Sequence, residues 1–503
     1  RSTFFGIVAG LTQMSTRLVT VPIVIGYLGL DGYGIWSIIM TIAMCMRIGS
    51  AGIKSAFQKY VAEATGSGDF VKANQLLSTG SAAMFVLSII GLIPLAVFSE
   101  NLARLIGVPD HLLDATAGSI SLLAVIMVFS NVGASYEAIV MGGHRIDLTG
   151  KFATAFTILE AIAIVAFLYA GYGLVAMTAV MALSQIGYLL CCYFASQRIL
   201  PAIQIATKHL SRKVLRELTV YGGSYQLVNI LEVLYAAILP VTILKWFGGE
   251  AAGVFAVVNR LVGAAMLAQE AFLLPVLSGA SLVFASGSVE RMLTLLTTSF
   301  KATLALTMLP LAFIASQGTL IIVAWTKQSD PAFQGALWLI SLAALSKSLS
   351  LLALIMYRAS GRARMDNIRQ LLRIVVLSLI VIFGHQLGFF GVLGGLVAAE
   401  LIGMGFMFFV MTSTFHGLTV RMLFPDAVKL TVVTLIVLFV NGVVTTVSVP
   451  WEASEQLLAT FKLGVLSLTT LVTAWFALLF TGALSKNEIN ALLQMSSVLK
   501  AKS

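Results

Sequence analysis

The chain has 503 residues, of which 59% are hydrophobic and 10% charged, where a soluble domain carries roughly 45–50% apolar and ~25% charged residues. So little polar material excludes a water-soluble globular protein of this size. The formal net charge of +10 therefore reads as a surplus of Lys and Arg in loops on one side of a membrane, not as a nucleic-acid surface.

A helix needs ~20 mostly apolar residues to cross the hydrocarbon core. On that rule the sequence predicts fourteen spans, at 4–28, 33–53, 75–97, 118–140, 153–171, 174–195, 219–244, 251–277, 302–323, 335–357, 374–390, 392–412, 430–448 and 463–481. The first is too long for a signal-peptide core and carries Arg17, so it reads as a span. The chain starts at Arg1 without a methionine, and a few preceding residues are expected. With the N-terminus in the cytoplasm, most basic residues fall on the cytoplasmic side. They include Lys54, Lys59 and Lys72, then Arg198, Lys208, Arg212, Lys213 and Arg216, and then Arg358, Arg362, Arg364, Arg369 and Arg373. The opposite loops hold only Arg104, Lys245, Lys327 and Lys462, which is the orientation signal. Both termini are then cytoplasmic.

The expected fold is an all-α polytopic membrane protein. An N-terminal lobe (1–196, spans one to six) is followed by a cytoplasmic amphipathic linker (197–218) and a C-terminal lobe (219–413, spans seven to twelve). An extra helix pair (414–484) and a cytoplasmic tail (485–503) complete it. The linker, "SQRILPAIQIATKHLSRKVLREL", mixes basic and apolar residues at helical spacing and is expected to lie along the membrane surface. An internal repeat supports the division. "VPIVIGYLGLDGYGIWSI" from Val21 and "LPVTILKWFGGEAAGVFAV" from Leu239 each place a proline before a short acidic turn, then glycine and a bulky apolar run. Six spans separate the copies, so the lobes form a parallel pseudo-two-fold repeat, as in several transporter folds.

No loop has room for a catalytic or nucleotide-binding domain, and there is no GxxxxGK[ST] phosphate loop. The cysteines (Cys45, Cys191, Cys192) and the scattered histidines give neither a disulfide framework nor a metal-ligand spacing. The chemistry instead sits in charges inside spans, each costing at least ~3 kcal/mol at membrane depth and by default marking a pathway or ligand. Four are basic: Arg17, Arg47, Arg260 and Lys347, the last among Ser341, Ser346, Ser348 and Ser350. They are the expected ligands of an anionic substrate, and a diphosphate suits them because guanidinium pairs bidentately with phosphate oxygens. Glu232, Glu270, Glu160 and Glu400 are expected to balance that charge or to couple transport to an ion. For Arg47, Glu137 and Glu270, snorkelling to the interface is the alternative, and for Arg260 a structural ion pair with Glu232 on the neighbouring span.

The sequence resembles the Wzx-type polysaccharide-export flippases of the multidrug/oligosaccharidyl-lipid/polysaccharide (MOP) exporter superfamily. The resemblance rests on "YLGLDGYGIWSI", "KVLRELTVYGGSYQL" and "GEAAGVFAVVNRL", in that order and spacing, with the fourteen-span plan. It implies a non-enzymatic flippase that moves undecaprenyl-diphosphate-linked oligosaccharide from the cytoplasmic to the periplasmic leaflet of a bacterial inner membrane. O-antigen or exopolysaccharide assembly would use the product. It further implies alternating access through a cationic cavity, no cofactor, and coupling to H⁺, Na⁺ or the membrane potential. Membrane lipid and other assembly proteins (a polymerase, a chain-length regulator) are the implied partners of a monomer. Related lipid II flippases use arginines in spans one, two and eight, matched here by Arg17, Arg47 and Arg260, but an acid follows their first arginine where this chain has Leu18. The alternatives are a MATE-type multidrug or cation antiporter and a membrane-embedded glycan polymerase or ligase.

Overall fold

In hydrocarbon a backbone N–H or C=O finds no water, so an apolar run entering the bilayer closes its own hydrogen bonds as a helix. The computed structural model describes residues 2–46, 48–286, 288–359, 364–414, 420–446 and 455–480, and all regular structure among them is helical. In chain order the helices are α1 (Ser2–Met46), α2 (Ile48–Ser67), α3 (Phe70–Val97), α4 (Ser99–Leu105), α5 (Asp110–Gly142), α6 (Ile146–Tyr169) and α7 (Leu174–Ile199). They continue as α8 (Arg212–Ser286), α9 (Val289–Thr326), α10 (Ala332–Ala359), α11 (Arg364–Gly384), α12 (Gly388–Thr414), α13 (Val420–Thr446) and α14 (Glu455–Phe480). Ten stretches among the described residues are long and apolar enough to cross a membrane. Two of them, Asn229–Phe284 (56 residues) and Arg364–Ser413 (50 residues), have the length of two crossings of ~20 residues each.

The expected span pairs one–two and seven–eight appear as α1 and α8, each a helical run broken at one glycine. Gly29 has φ 71° and ψ 176°, and Gly248 has φ 84° and ψ −179°. That backbone region is open essentially only to glycine, so both copies of the sequence repeat turn by the same device. The two turns also pack against each other. A methyl group on Gly253 would overlap the Leu30 carbonyl oxygen, and one on Gly34 would overlap the carbonyl oxygen of Gly249. Small residues permit this backbone-to-backbone approach between helices in lipid.

The chain divides into two compact units, Arg1–Ala256 and Val257–Ser503, with the boundary inside α8. In the first unit α5 is central and packs on α1, α2, α3, α4, α6 and α7. Asn131 donates to Ser88 Oγ at 2.8 Å and Ser81 meets Ser135 at 2.5 Å, joining α3 to α5 by buried polar contacts.

The linker departs from the expected surface helix. After α7 ends at Ile199 the chain runs as a strap, with one 3₁₀ turn at Thr207–His209, until α8 begins at Arg212. Three residues on α3 hold it. Asn74 donates to the Ala202 carbonyl at 3.1 Å and accepts from the Gln204 N–H at 2.9 Å. Ser78 accepts from the Ala206 N–H at 3.1 Å, and Thr79 accepts from the Ser211 N–H at 3.0 Å. Ile203 is buried in a core with Phe57, Val61, Leu76, Leu77, Ile139 and Val214. The strap's basic and apolar residues look like an amphipathic helix in sequence, but its main chain bonds partly to α3 and otherwise makes only isolated turns, such as the Ile203 N–H donating to the Leu200 carbonyl.

In the second unit α9 packs on α10, α13 and α14, and α12 on α10 and α11. The C-terminal pair is part of this unit. Lys301 on α9 lies 3.7 Å from Asp426 on α13, and Asn441 on α13 donates to Thr470 Oγ1 on α14 at 2.8 Å. Spans eleven and twelve divide at Gly384–Gly388, not at Gly391, and α11 begins at Arg364 instead of at 374.

Two outcomes test these contacts. Gly253→Ala should destabilise the detergent-solubilised protein by ~1–3 kcal/mol through overpacking. Gly263→Ala, whose new methyl meets no atom within 4 Å, should be neutral or stabilising by up to ~1 kcal/mol. Thermal unfolding followed by fluorescence reads both, and equal midpoints would contradict the contact. Asn74→Ala removes two hydrogen bonds and should speed tryptic cleavage at exposed Lys208 by about tenfold.

Candidate functional site

Depth along a helix follows from its rise of ~1.5 Å per residue, counted from the glycine turns. Arg17 lies on the first limb of α1 and Arg260 on the second limb of α8. Each is ~18 Å along its own helix from its own glycine turn, past the midpoint of a ~30 Å hydrocarbon core. The repeat thus carries one arginine at equal depth in each copy. The side chain of Arg17 and all of Arg47 lie outside the described residues.

Arg260 is half-buried. Its Nε is enclosed and has no hydrogen-bond partner among the described residues. A guanidinium held this way keeps donor capacity for a ligand. Glu270 is exposed and ~15 Å further along the same helix, so the two charges of this span are separate features. Lys347 on α10 is half-buried, while Ser341, Ser346, Ser348 and Ser350 beside it are all buried. That face is therefore mostly packed, and the lysine is its partly open position.

The acids occupy different environments. In the first unit Glu232 is exposed on α8 and Glu160 is half-buried on α6. In the second unit Glu400 on α12 is only 2% exposed and accepts a charged hydrogen bond from Arg373 Nη2 on α11.

That contact corrects the placement of Arg369 and Arg373, which the sequence assigns to a cytoplasmic loop. Because α11 starts at Arg364, both lie within the helix and both are 2% exposed. Arg369 donates to Asp366 Oδ1 at 3.0 Å, Arg358 to Asp366 Oδ2 at 2.5 Å, and Arg373 to Gln370 Oε1 at 2.6 Å. The signal was present in "RMDNIRQLLRIV": Asp366, Arg369, Gln370 and Arg373 repeat at three and four residues, one face of a helix. A run rich in basic residues at a span boundary hides such a face, because it satisfies the loop-charge rule equally well.

Comparison with known proteins agrees with this architecture. The MatE family model matches residues 7–162. The uncharacterized membrane protein EpsK of Bacillus subtilis (strain 168) is 23% identical over 241 residues, 47% of this chain and 47% of that protein. The chain thus spans about half the length of the curated relative it matches. The lipid II flippase MurJ in an inward closed conformation superposes with a TM-score of 0.69 at 15% identity, covering 95% of this chain and 98% of that one. An inward-facing multidrug resistance MATE family transporter of the MOP superfamily gives a TM-score of 0.65 at 17% identity, covering 80% of this chain and 94% of that one. The chain is a multi-pass helical membrane protein with the fold of the MOP superfamily transporters.

Proposed function

We propose that this protein is a flippase of the Wzx type, carrying undecaprenyl-diphosphate-linked oligosaccharide from the cytoplasmic to the periplasmic leaflet of a bacterial inner membrane. The observation that carries this reading is Arg260, a half-buried guanidinium deep in a span whose enclosed Nε has no partner among the described residues. A buried unpaired donor is costly, and a diphosphate, with its several anionic oxygens, is the chemistry that offsets the cost. Arg17, Arg47 and Lys347 add positive charge from other spans, and Glu232, Glu270 and Glu160 limit the net charge when substrate is absent. The polyprenyl tail stays in lipid, so only the diphosphate and sugars need a polar path. Alternating exposure of that path to the two leaflets moves the headgroup, with an ion gradient or the membrane potential setting direction. The protein acts as a monomeric transporter, without a cofactor, and hands its product to surface-polysaccharide polymerising and length-controlling proteins.

A multidrug or cation antiporter is the second reading, favoured by the MatE match over residues 7–162. The lipid II flippase covers 95% of this chain and the multidrug transporter 80%, which supports the lipid-linked substrate. The basic residues weigh the same way, since a cationic drug is repelled by Arg260 and Lys347.

The test is translocation of a fluorescent undecaprenyl-diphosphate-linked oligosaccharide in proteoliposomes. Losing one charge-assisted hydrogen bond of ~1.5–3 kcal/mol should slow Arg260→Ala roughly 10- to 100-fold, and Arg260→Glu should be inactive at normal abundance. Wild-type rates in the charge-reversed protein would end the proposal, and efflux of cationic dyes without lipid translocation would favour the antiporter. Arg260→Met removes an unpartnered buried donor, so it should leave stability unchanged or raise it by up to ~1 kcal/mol, read as an equal or higher thermal midpoint, while translocation falls. A drop in both would mark Arg260 as structural.

A further inference from the structure

Where α10 ends and α11 begins, the second unit gathers more positive charge than negative. Asp366 is 2% exposed and receives two guanidinium groups, Nη2 of Arg358 from the end of α10 at 2.5 Å and Nη2 of Arg369 from its own helix at 3.0 Å. One turn further along α11, Arg373 goes to Gln370 and to Glu400 on α12. Three arginines thus meet two carboxylates, and the surplus falls on Arg358 and Arg369, which share one. Arg369 is the buried member of that pair, at 2% exposure. Its Nε and Nη1 are enclosed without a hydrogen-bond partner among the described residues. A buried guanidinium that shares its counter-charge and leaves two nitrogens unbonded is costly, and an anion that reached it would offset the cost.

Position narrows the choice of anion. Arg369 is five residues into α11, ~8 Å from its start. Long side chains on a helix lean toward its N-terminus, and the bond to Asp366, three residues earlier, has that direction. The guanidinium therefore points toward the end of the span, where a headgroup layer ~5–7 Å deep borders the hydrocarbon. Phosphate is the anion that lines this layer, and guanidinium groups bind its oxygens strongly. Another face of α11 is a stripe of exposed apolar residues, Ile368, Leu371, Val375, Leu379 and Ile382, as expected of a helix that meets acyl chains. The stripe starts one residue before Arg369, so one helix offers a surface for the chains of a lipid and a cation for its headgroup. Arg358, with a side chain 46% exposed, is the open arm of the cluster. The surplus positive charge suits a headgroup of net negative charge and disfavours a choline, whose ammonium would stand near the arginines.

We propose that Arg358 and Arg369 form a binding site for the phosphate of an anionic membrane phospholipid, at the junction of α10 and α11. Arg358 turns from Asp366 to the phosphate, and Arg369 keeps Asp366 while its free nitrogens supply the inner donors. Each of the three arginines then has an anion of its own: the phosphate for Arg358, Asp366 for Arg369 and Glu400 for Arg373. The bound lipid ties α10 to α11 and stabilises the second unit by mass action. The site is independent of what the protein transports.

The test uses the full chain in mixed micelles doped with phosphatidylglycerol or phosphatidylcholine. Native mass spectrometry counts the bound lipid, and thermal unfolding reads its effect. Wild type should bind phosphatidylglycerol about tenfold more tightly than phosphatidylcholine and unfold at a higher temperature with it. Arg369→Met leaves Asp366 paired with Arg358, so it should fold and lose the preference. Arg358→Gln leaves Asp366 paired with Arg369, should lose the preference too, and carries the test if Arg369→Met fails to accumulate. Lys213→Gln, which removes an exposed base at the start of α8, should keep it. Equal affinity of wild type for the two lipids overturns the proposal. A preference retained by both arginine variants, or lost equally in Lys213→Gln, overturns it as well and assigns the effect to diffuse surface charge. Inorganic phosphate in undoped micelles should leave the midpoint unchanged, and a rise equal to that given by phosphatidylglycerol overturns the lipid as occupant.

Discussion

A polar group in hydrocarbon cannot fall back on water, and each unusual feature of this chain follows from where its polar groups are sent instead. The backbone answers with helices. At Gly29 and Gly248, where the chain must turn sharply between spans, it adopts a conformation that only glycine tolerates. The side chains answer in two ways: acids and bases of α10, α11 and α12 form ion pairs, while the enclosed Nε of Arg260 has no hydrogen-bond partner among the described residues.

The spans themselves were legible in the sequence because length and hydropathy are enough to define a crossing. The repeat was legible for a physical reason as well, since a proline, a short acidic turn and a glycine are what a tight interspan turn requires, and both copies carry them. The start of α11 was not. "RMDNIRQLLRIV" satisfies the rule for a basic loop and the pattern of a helix face at once, and only the partner Glu400, on a different helix, decides between them. The strap after α7 was hidden for the converse reason. Its helical-looking spacing loses to three polar side chains on α3 that no local pattern connects to it.

The candidate site was legible as a set of residue types at depth, not as geometry. Arg260 was identifiable because an arginine inside an apolar run is rare, and the structure adds that its Nε is enclosed without a partner. Lys347 is half-buried, and its neighbouring serines are buried. Glu400 gains a partner from a residue assigned to a loop. Hydropathy orders spans along the chain but carries no information on which faces meet, and buried charges are decided by which faces meet.

The strap has an evolutionary consequence. Asn74, Ser78 and Thr79 bond to the main chain of residues 202–211, not to its side chains, and every residue but proline offers the same N–H and C=O groups. Apart from Ile203, which fills a core, the strap is free to drift in sequence while its docking persists. Among proteins sharing this architecture, the connecting segment should therefore look unrelated from one to the next, and the record of its attachment should be kept on α3, in three small polar residues of a helix that otherwise faces lipid and core.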